Sequence, residues 1–346
     1  MTELLLDTEK KVIPQCAYFG TCGGCSFQDL DYDAQLELKR KQVEEVICRG
    51  GFETRPYFQV QPAIPSPKPY HYRHMMALSV KKRHGALHLG FVGQDRRTFL
   101  PVDACPIADE RISGFFPEAL KRLEALPEKR RFRTSQIVLR VGSEGEVITS
   151  LRSDRGRMLE CAVSGKTFSY AVSSFFQHNF SILESFIQTV HDLLNPNGSG
   201  ILFDLYSGVG LLGISLAAGY ERVVGIEEGY EAVQCAKRNA QRNAIINTDF
   251  LEGKVEVLLP ELISAAGNGP LHVIVDPPRA GLKPEVLECL NRLPIKKLLY
   301  VSCHLEALRR DLEVLSQKFQ IVQVQPMDFF PQTRHIETLV LLEPRL

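Results

Sequence analysis

The 346-residue chain has no run of 18 or more apolar residues, which excludes a membrane-spanning helix from the reading. Its first residues, MTELLLDTEKK, lack a basic stretch followed by an apolar one. No secretory signal is therefore expected, and the expected compartment is the cytoplasm. Net charge is missing too, with 41 Lys and Arg against 41 Asp and Glu, which removes the simplest argument for a polyanionic partner. The cysteines are nine, an odd number in a long chain. That argues against a disulfide framework and for reduced thiols used in metal binding or catalysis. There is no internal repeat or low-complexity segment. What remains is 44% hydrophobic and 24% charged, ordinary for a globular protein long enough for more than one domain.

The neutral total hides an asymmetry. Residues 39 to 140 hold 20 Lys and Arg against 10 Asp and Glu, an excess that can form a phosphate-neutralising face. Within it, Lys68, Arg73, Lys81, Lys82 and Arg83 are interleaved with Tyr70, His71 and Tyr72, a pattern suited to phosphate and stacking contacts.

The chain reads as three segments. Residues 1–60 carry a Cys-rich, Gly-rich stretch, CAYFGTCGGCSFQ, and then a helical pattern that ends at Gly50-Gly51. Residues 61–170 open on the Pro-rich VQPAIPSPKPYHY and continue as strand-like pieces (MMALSVKKR, ALHLGFV, TFLPVDAC, SQIVLRVG, EVITSLR, KTFSYAV) with one helix near 107–126. They form a smaller α+β unit. From 171 to 346 short apolar strands alternate with helices: ILFDLYS, RVVGIEE, LHVIVDPP, KKLLYVSC and a final pair near FQIVQVQPMD and HIETLVLLE. This is α/β grammar, a mostly parallel Rossmann-like sheet with helices on both faces.

Chemistry gathers in that last segment. ILFDLYSGVGLLG places Gly208, Gly210 and Gly213 in G-x-G-x-x-G spacing between a strand and a helix, with Glu227 at the end of the next strand to bind ribose hydroxyls. The spacing alone also fits a dinucleotide. Asp204, four residues before the first glycine, favours an S-adenosylmethionine (SAM) loop. Asp276 ends the next apolar run in DPPRAGL, and Cys303 ends the one after. A cysteine opening a helix is expected to have a lowered pKa, because the unpaired N–H groups stabilise its thiolate. The thiols of Cys48, Cys161, Cys235 and Cys289 read as packing. Cys16, Cys22 and Cys25, in C-x5-C-G-G-C, together with the distant Cys105, supply four thiolates that suit zinc or an iron–sulfur cluster. Their spacing is unlike a zinc ribbon of two CxxC pairs and unlike the C-x3-C-x2-C run of radical enzymes.

Taken together, D-x-Y-S-G-V-G, V-D-P-P-R-A-G-L, V-S-C and R-H-I-E-T resemble the SAM-dependent RNA 5-methyluridine (uracil-C5) methyltransferases over nearly the whole chain. The resemblance implies that Cys303 is the nucleophile and Glu337, beside His335, the base. It implies that Gln177, Tyr206, Gly208, Gly210, Glu227 and Asp276 hold SAM, with Leu211 at a further cofactor position. The cysteine pattern is similar to the [4Fe–4S] site of the 23S ribosomal RNA members, which makes that RNA the implied partner, in a single-stranded or flipped-base region. No obligate protein partner is implied. The chain departs from the pattern in having His304-Leu305 after the nucleophile where the family has Asn-Pro. It also has His74 where Asn is common, a difference expected to bear on RNA contacts, and it is expected to lack the accessory N-terminal barrel. The rival readings are a transfer RNA substrate, an exocyclic-amine nucleic-acid methyltransferase that needs no thiol, a non-catalytic RNA-binding factor of the same fold, and a dinucleotide oxidoreductase.

Overall fold

In the computed structural model, residues 10–49, 58–127, 135–264 and 270–345 are described. The first helix, Tyr32–Cys48, starts at Asp31, whose side chain accepts the Asp33 N–H, an N-cap that satisfies an otherwise orphan donor. Its buried face runs through Gln35, Lys39, Val43, Val46 and Ile47, the three-and-four spacing of an amphipathic helix. Val43, Val46 and Ile47 share a core with Leu308 and Leu312, so this helix packs on the C-terminal unit.

A five-stranded sheet follows, in the order β3-β2-β1-β4-β5. Its strands are β1 (Met75–Arg83), β2 (Ala86–Val92), β3 (Phe99–Pro101), β4 (Gln136–Arg140) and β5 (Ile148–Thr149). In β1 the buried residues are Met76, Leu78 and Val80, the alternation of a half-buried strand. His84 (φ 49°) and Gly85 (φ 88°) close the β1–β2 hairpin, the paired positive φ values that a two-residue type I′ turn requires. The expected helix near 107–126 is two helices, Glu110–Gly114 and Phe116–Glu124, which meet at Phe115 ahead of Pro117. Pro117 lies in the first turn of the second helix, where its missing N–H costs no intrahelical bond, so it suits the restart. An antiparallel ribbon, β6 (Met158–Val163) and β7 (Lys166–Ala171), comes next. Asn239 of the helix Tyr230–Arg242 accepts the Ser169 N–H at 2.7 Å and donates to the Ser169 carbonyl at 3.1 Å, so it acts as a pairing partner for the ribbon's edge.

The C-terminal unit is built on seven strands: β8 (Ile201–Leu205), β9 (Arg222–Glu227), β10 (Thr248–Glu252), β11 (Leu271–Val275), β12 (Ile295–Ser302), β13 (Phe319–Met327) and β14 (Glu337–Pro344). Their order is β10-β9-β8-β11-β12-β14-β13. The first five are mutually parallel, while β14 runs antiparallel to both β12 and β13. Strand order reverses between β8 and β11, and open α/β sheets bind ligands at the carboxyl ends of strands beside such a point. No helix among the described residues is long and apolar enough to cross a membrane.

Candidate active site

The carboxyl ends of β8, β9, β11 and β12 present Tyr206, Glu227, Asp276 and Cys303 along one edge of the sheet. Because β14 runs the other way, its first residue, Glu337, joins that edge: Ser302 pairs with Thr338.

The loop after β8 is held in conformations that most side chains avoid. Tyr206 (φ 65°), Gly208 (φ 54°) and Gly210 (φ 84°) are all left-handed, and a non-glycine residue kept there marks stored strain that clusters at functional sites. A Cβ on Gly210 would come within 2.8 Å of Phe250 and 2.9 Å of Ile214, whereas a Cβ on Gly208 would meet nothing within 4 Å. The loop thus packs tightly on one side and opens on the other, a floor a ligand can approach. Glu227 fastens its rim, accepting the Gly208 N–H at 3.1 Å and the Gly229 N–H at 2.8 Å. Asp204 accepts the Gly213 N–H at 2.9 Å. Burial pushes Asp204 up to about 7 against that bond, and the Glu227 charge adds to the rise. Burial and the neighbouring Asp204 raise Asp276 as well.

Glu337 is 4% exposed, and among the described residues its Oε1 has no hydrogen-bond partner. Burial first and Asp276 second hold its carboxyl well above the ordinary range, with Arg279 opposing. An acid with a free acceptor oxygen and a raised pKa is suited to take a proton. Cys303, half-buried, lies within reach of that charge. Burial and then Glu337 push its thiol up, a hydrogen bond and charge from Arg279 pull it down, and Asp276 adds to the rise. This reverses the lowered thiol expected from the helix terminus. The reason is that His304, not Cys303, caps the helix Leu305–Leu315, its Nδ1 accepting the Ala307 N–H at 3.2 Å, while burial, the largest cause, raises the thiol. Arg279 also lies 3.2 Å from His335 Nδ1, and burial lowers His335 to about 4, which leaves that ring neutral.

Residues 157–260 and 267–345 match the tRNA (uracil-5-)-methyltransferase family. The chain belongs to that family. It is 30% identical to an uncharacterized RNA methyltransferase of Thermosynechococcus vestitus, with 98% of this chain and 86% of the relative covered. It is also 30% identical to one of Listeria innocua, with 97% and 85% covered. The crystal structure of the Pyrococcus abyssi tRNA (uracil-54, C5)-methyltransferase in complex with S-adenosyl-L-homocysteine superposes with a TM-score of 0.69 at 26% identity, covering 92% of this chain and 85% of that one. The protein is a SAM-dependent RNA (uracil-5-)-methyltransferase.

In this methyltransferase the remaining residues singled out in the sequence fall in three places. Gln177 is half-buried in the connection from β7 to the helix Leu183–Leu194. Arg140 grips that connection, donating to the carbonyls of Val172 at 3.1 Å, Ser174 at 2.6 Å and Phe176 at 3.2 Å. Leu211 is buried at the start of the helix that follows the glycine loop. Cys16, Cys22, Cys25 and Cys105 line one cavity of about 270 Å3 with apolar walls that include Met76 and Phe91. Burial first, and then the charges of Cys105, Cys22 and Cys16 against a Gln28 hydrogen bond, push Cys25 up to about 12. Among the described residues no group of three or more His, Cys, Asp or Glu side chains is placed to hold a metal ion.

The basic segment divides. Lys68, Lys81, Lys82 and Arg83 are exposed, while Tyr70 and Arg73 are half-buried. His71 is exposed too. Tyr72 is corrected: it is fully buried, with its hydroxyl on the Pro331 carbonyl at 3.0 Å, and cannot stack on a base. His74 is corrected likewise. It is 8% exposed and stacks on Phe180 at 3.8 Å between ring centroids, which makes it core rather than RNA surface. Arg279 is the site residue the sequence reading passed over. Its place in DPPRAGL, straight after Asp276, is the signal that could have found it.

Proposed function

We propose that this methyltransferase transfers a methyl group to C5 of a uridine in RNA, 23S ribosomal RNA foremost, through a covalent adduct between Cys303 and uracil C6. The observation that carries the reading is the placement of Cys303 and the buried Glu337 carboxyl, whose Oε1 has no hydrogen-bond partner among the described residues, at one edge of adjacent strands, beside the open glycine loop. Gln177, Tyr206, Gly208, Gly210, Glu227 and Asp276 would hold SAM, which when bound supplies an electrophilic methyl carbon. Uracil C5 is a poor nucleophile. Addition of the Cys303 thiolate to C6 would move the ring's electrons toward C5, the atom that would take the methyl as its bond to the SAM sulfur breaks and S-adenosyl-L-homocysteine leaves. Glu337 removes the C5 proton, the C–H electron pair forms the C5–C6 double bond, and the C6–S bond breaks to return the thiolate. Arg279 stabilises the thiolate at both ends of the cycle.

In this reading 171–346 is the catalytic unit and 61–170 the RNA-binding unit, with Lys68, Lys81, Lys82 and Arg83 contacting phosphates of a strand whose target base is unpaired or flipped. The protein then works in the cytoplasm, where that RNA is. A second reading, transfer RNA as substrate, is favoured by the likeness to the Pyrococcus abyssi enzyme. Mass mapping of 5-methyluridine in both RNAs, from cells with and without the gene, tests both. Loss of one 23S site bears out the first reading and loss of a transfer RNA site the second. No change at any uridine sinks the proposal.

Residues 1–60 and Cys105 would hold a [4Fe–4S] cluster in a structural role. A zinc ion bonded at about 2.3 Å to each thiolate would draw four sulfurs to within about 4 Å of one another. The four thiols line one cavity, and the likeness of their spacing to the cluster-binding relatives is what favours the iron–sulfur cluster over zinc. Protein purified without oxygen is expected to contain about four irons and about four acid-labile sulfides per chain, and a Cys25→Ser variant to lose them. Zinc in their place would overturn the assignment.

A further inference from the structure

The connection 328–336 joins β13 to β14 and delivers Glu337, which pairs with Met327 as the hairpin closes. Its first five residues, 328 to 332, are each fastened from outside the hairpin. Asp328 meets Lys39 of the helix Tyr32–Cys48 at 2.6 Å, and both side chains are 0% exposed. The same Nζ donates to the Phe330 carbonyl at 3.0 Å. Asn179 donates to the Phe329 carbonyl at 3.2 Å and Tyr72 to that of Pro331 at 3.0 Å. The backbone N–H groups of Ser26 and Phe27, next to Cys25, donate to the Gln332 carbonyl at 2.9 and 3.0 Å. Gln332 itself sits at φ 68°, a conformation its surroundings must impose.

A buried ion pair is generally no more stabilising than well-packed apolar residues of the same volume, so stability alone gives no reason for this one. Its directionality does, because a charge pair with further hydrogen bonds fixes a loop's course where apolar packing lets it settle. We propose that Lys39 and Asp328 are positioning residues for proton abstraction. They clamp the connection 328–336 so that Glu337 enters β14 with its carboxylate at the reacting carbon, which makes the N-terminal helix part of the catalytic apparatus. The inference rests on Glu337 being the base. In that step Glu337 gains the C5 proton, the C–H pair becomes the C5–C6 double bond, and the C6–S pair returns to Cys303.

The test is a double variant, Lys39→Met with Asp328→Leu, which removes both charges and leaves neither buried alone. A 5-fluorouracil RNA carries fluorine where the proton would leave, so its covalent complex forms by Cys303 addition and methylation without any call on the base. The clamp predicts wild-type yield of that complex and an unchanged KM for SAM. It also predicts uridine turnover slowed about tenfold or more and accumulation of a methylated protein–RNA adduct. Turnover equal to wild type, or adduct yield and turnover falling in parallel, overturns it. Should the double variant fail to fold, Tyr72→Phe decides by the same two readouts. Stalled adduct with slowed turnover supports the clamp, and wild-type behaviour overturns it. If the wild type forms no 5-fluorouracil complex, the Cys303 reading has failed and the clamp falls with it.

Discussion

Cys303→Ala is expected to abolish methyl transfer to RNA, with a fall of about 10^4-fold or more, and to eliminate any covalent complex with 5-fluorouracil RNA. The loss would be chemical. Cys303 is only half-buried and does not cap the helix that follows, since His304 does, so a stability change of about 1 kcal/mol or less is expected. SAM binding, which the proposed reading assigns to the loop after β8, should survive. Two measurements check this, labelled-methyl incorporation into RNA and SAM affinity by calorimetry. An alanine variant that kept its activity would point to methylation of an exocyclic amine, which needs no thiol. The raised thiol has a consequence in the wild type as well. Burial and Glu337 hold the Cys303 thiol above its ordinary range in the resting chain, so thiolate is scarce at neutrality and the rate should climb as pH rises above about 7.

Glu337→Gln is expected to behave differently. Glutamine keeps the shape but cannot accept the proton, so turnover should drop about 10^2- to 10^4-fold while Cys303 still adds to C6. The methylated adduct then persists, because elimination waits on a proton that nothing removes. Gel-shifted protein carrying labelled methyl from uridine RNA is the signature. If Cys303→Ala and Glu337→Gln both left free RNA and no adduct, Glu337 would not be the base. Stability gives a second, independent readout. The folded pKa of Glu337 lies above its ordinary 4.5, so the folded state binds this proton more tightly than the unfolded one. Wild-type stability therefore falls as pH rises from about 4.5 toward the folded pKa. The glutamine variant escapes that loss. It should melt no lower than wild type at pH 8, with any advantage shrinking as pH approaches 4.5.

What could be read from the chain depended on how local its cause was. The glycine loop was legible because positions 208 and 210 need left-handed backbone that glycine supplies, and β1 because its buried residues alternate from Met76 to Val80. The strand β10 (Thr248–Glu252) escaped because it lies at the sheet's edge, where its Asp249 and Glu252 remain exposed and no apolar run is required. The strand β6 escaped for a similar reason, with Glu160 and Ala162 facing solvent. Tyr72 and His74 looked like RNA contacts beside basic residues, yet the two-residue period of the segment entering β1 turns both inward. The direction of the Cys303 shift depends first on burial and then on Glu337, brought from a distant strand, neither of which the local helix start reveals. The Lys39–Asp328 pair spans 289 residues and leaves no trace in either segment's composition.

The reversed direction of β14 has a price in chain length that the fold avoids. Glu337 opens an eight-residue strand that spans about 26 Å at about 3.3 Å per residue. Run parallel to its neighbours, the same strand would set its leading acid at the far rim, and a long crossover would be needed to bring any acid back beside Cys303. A single hairpin does this instead, so thiol and carboxylate are kept in register by rungs of backbone hydrogen bonds, and the spacing of the two groups is as fixed as the sheet itself.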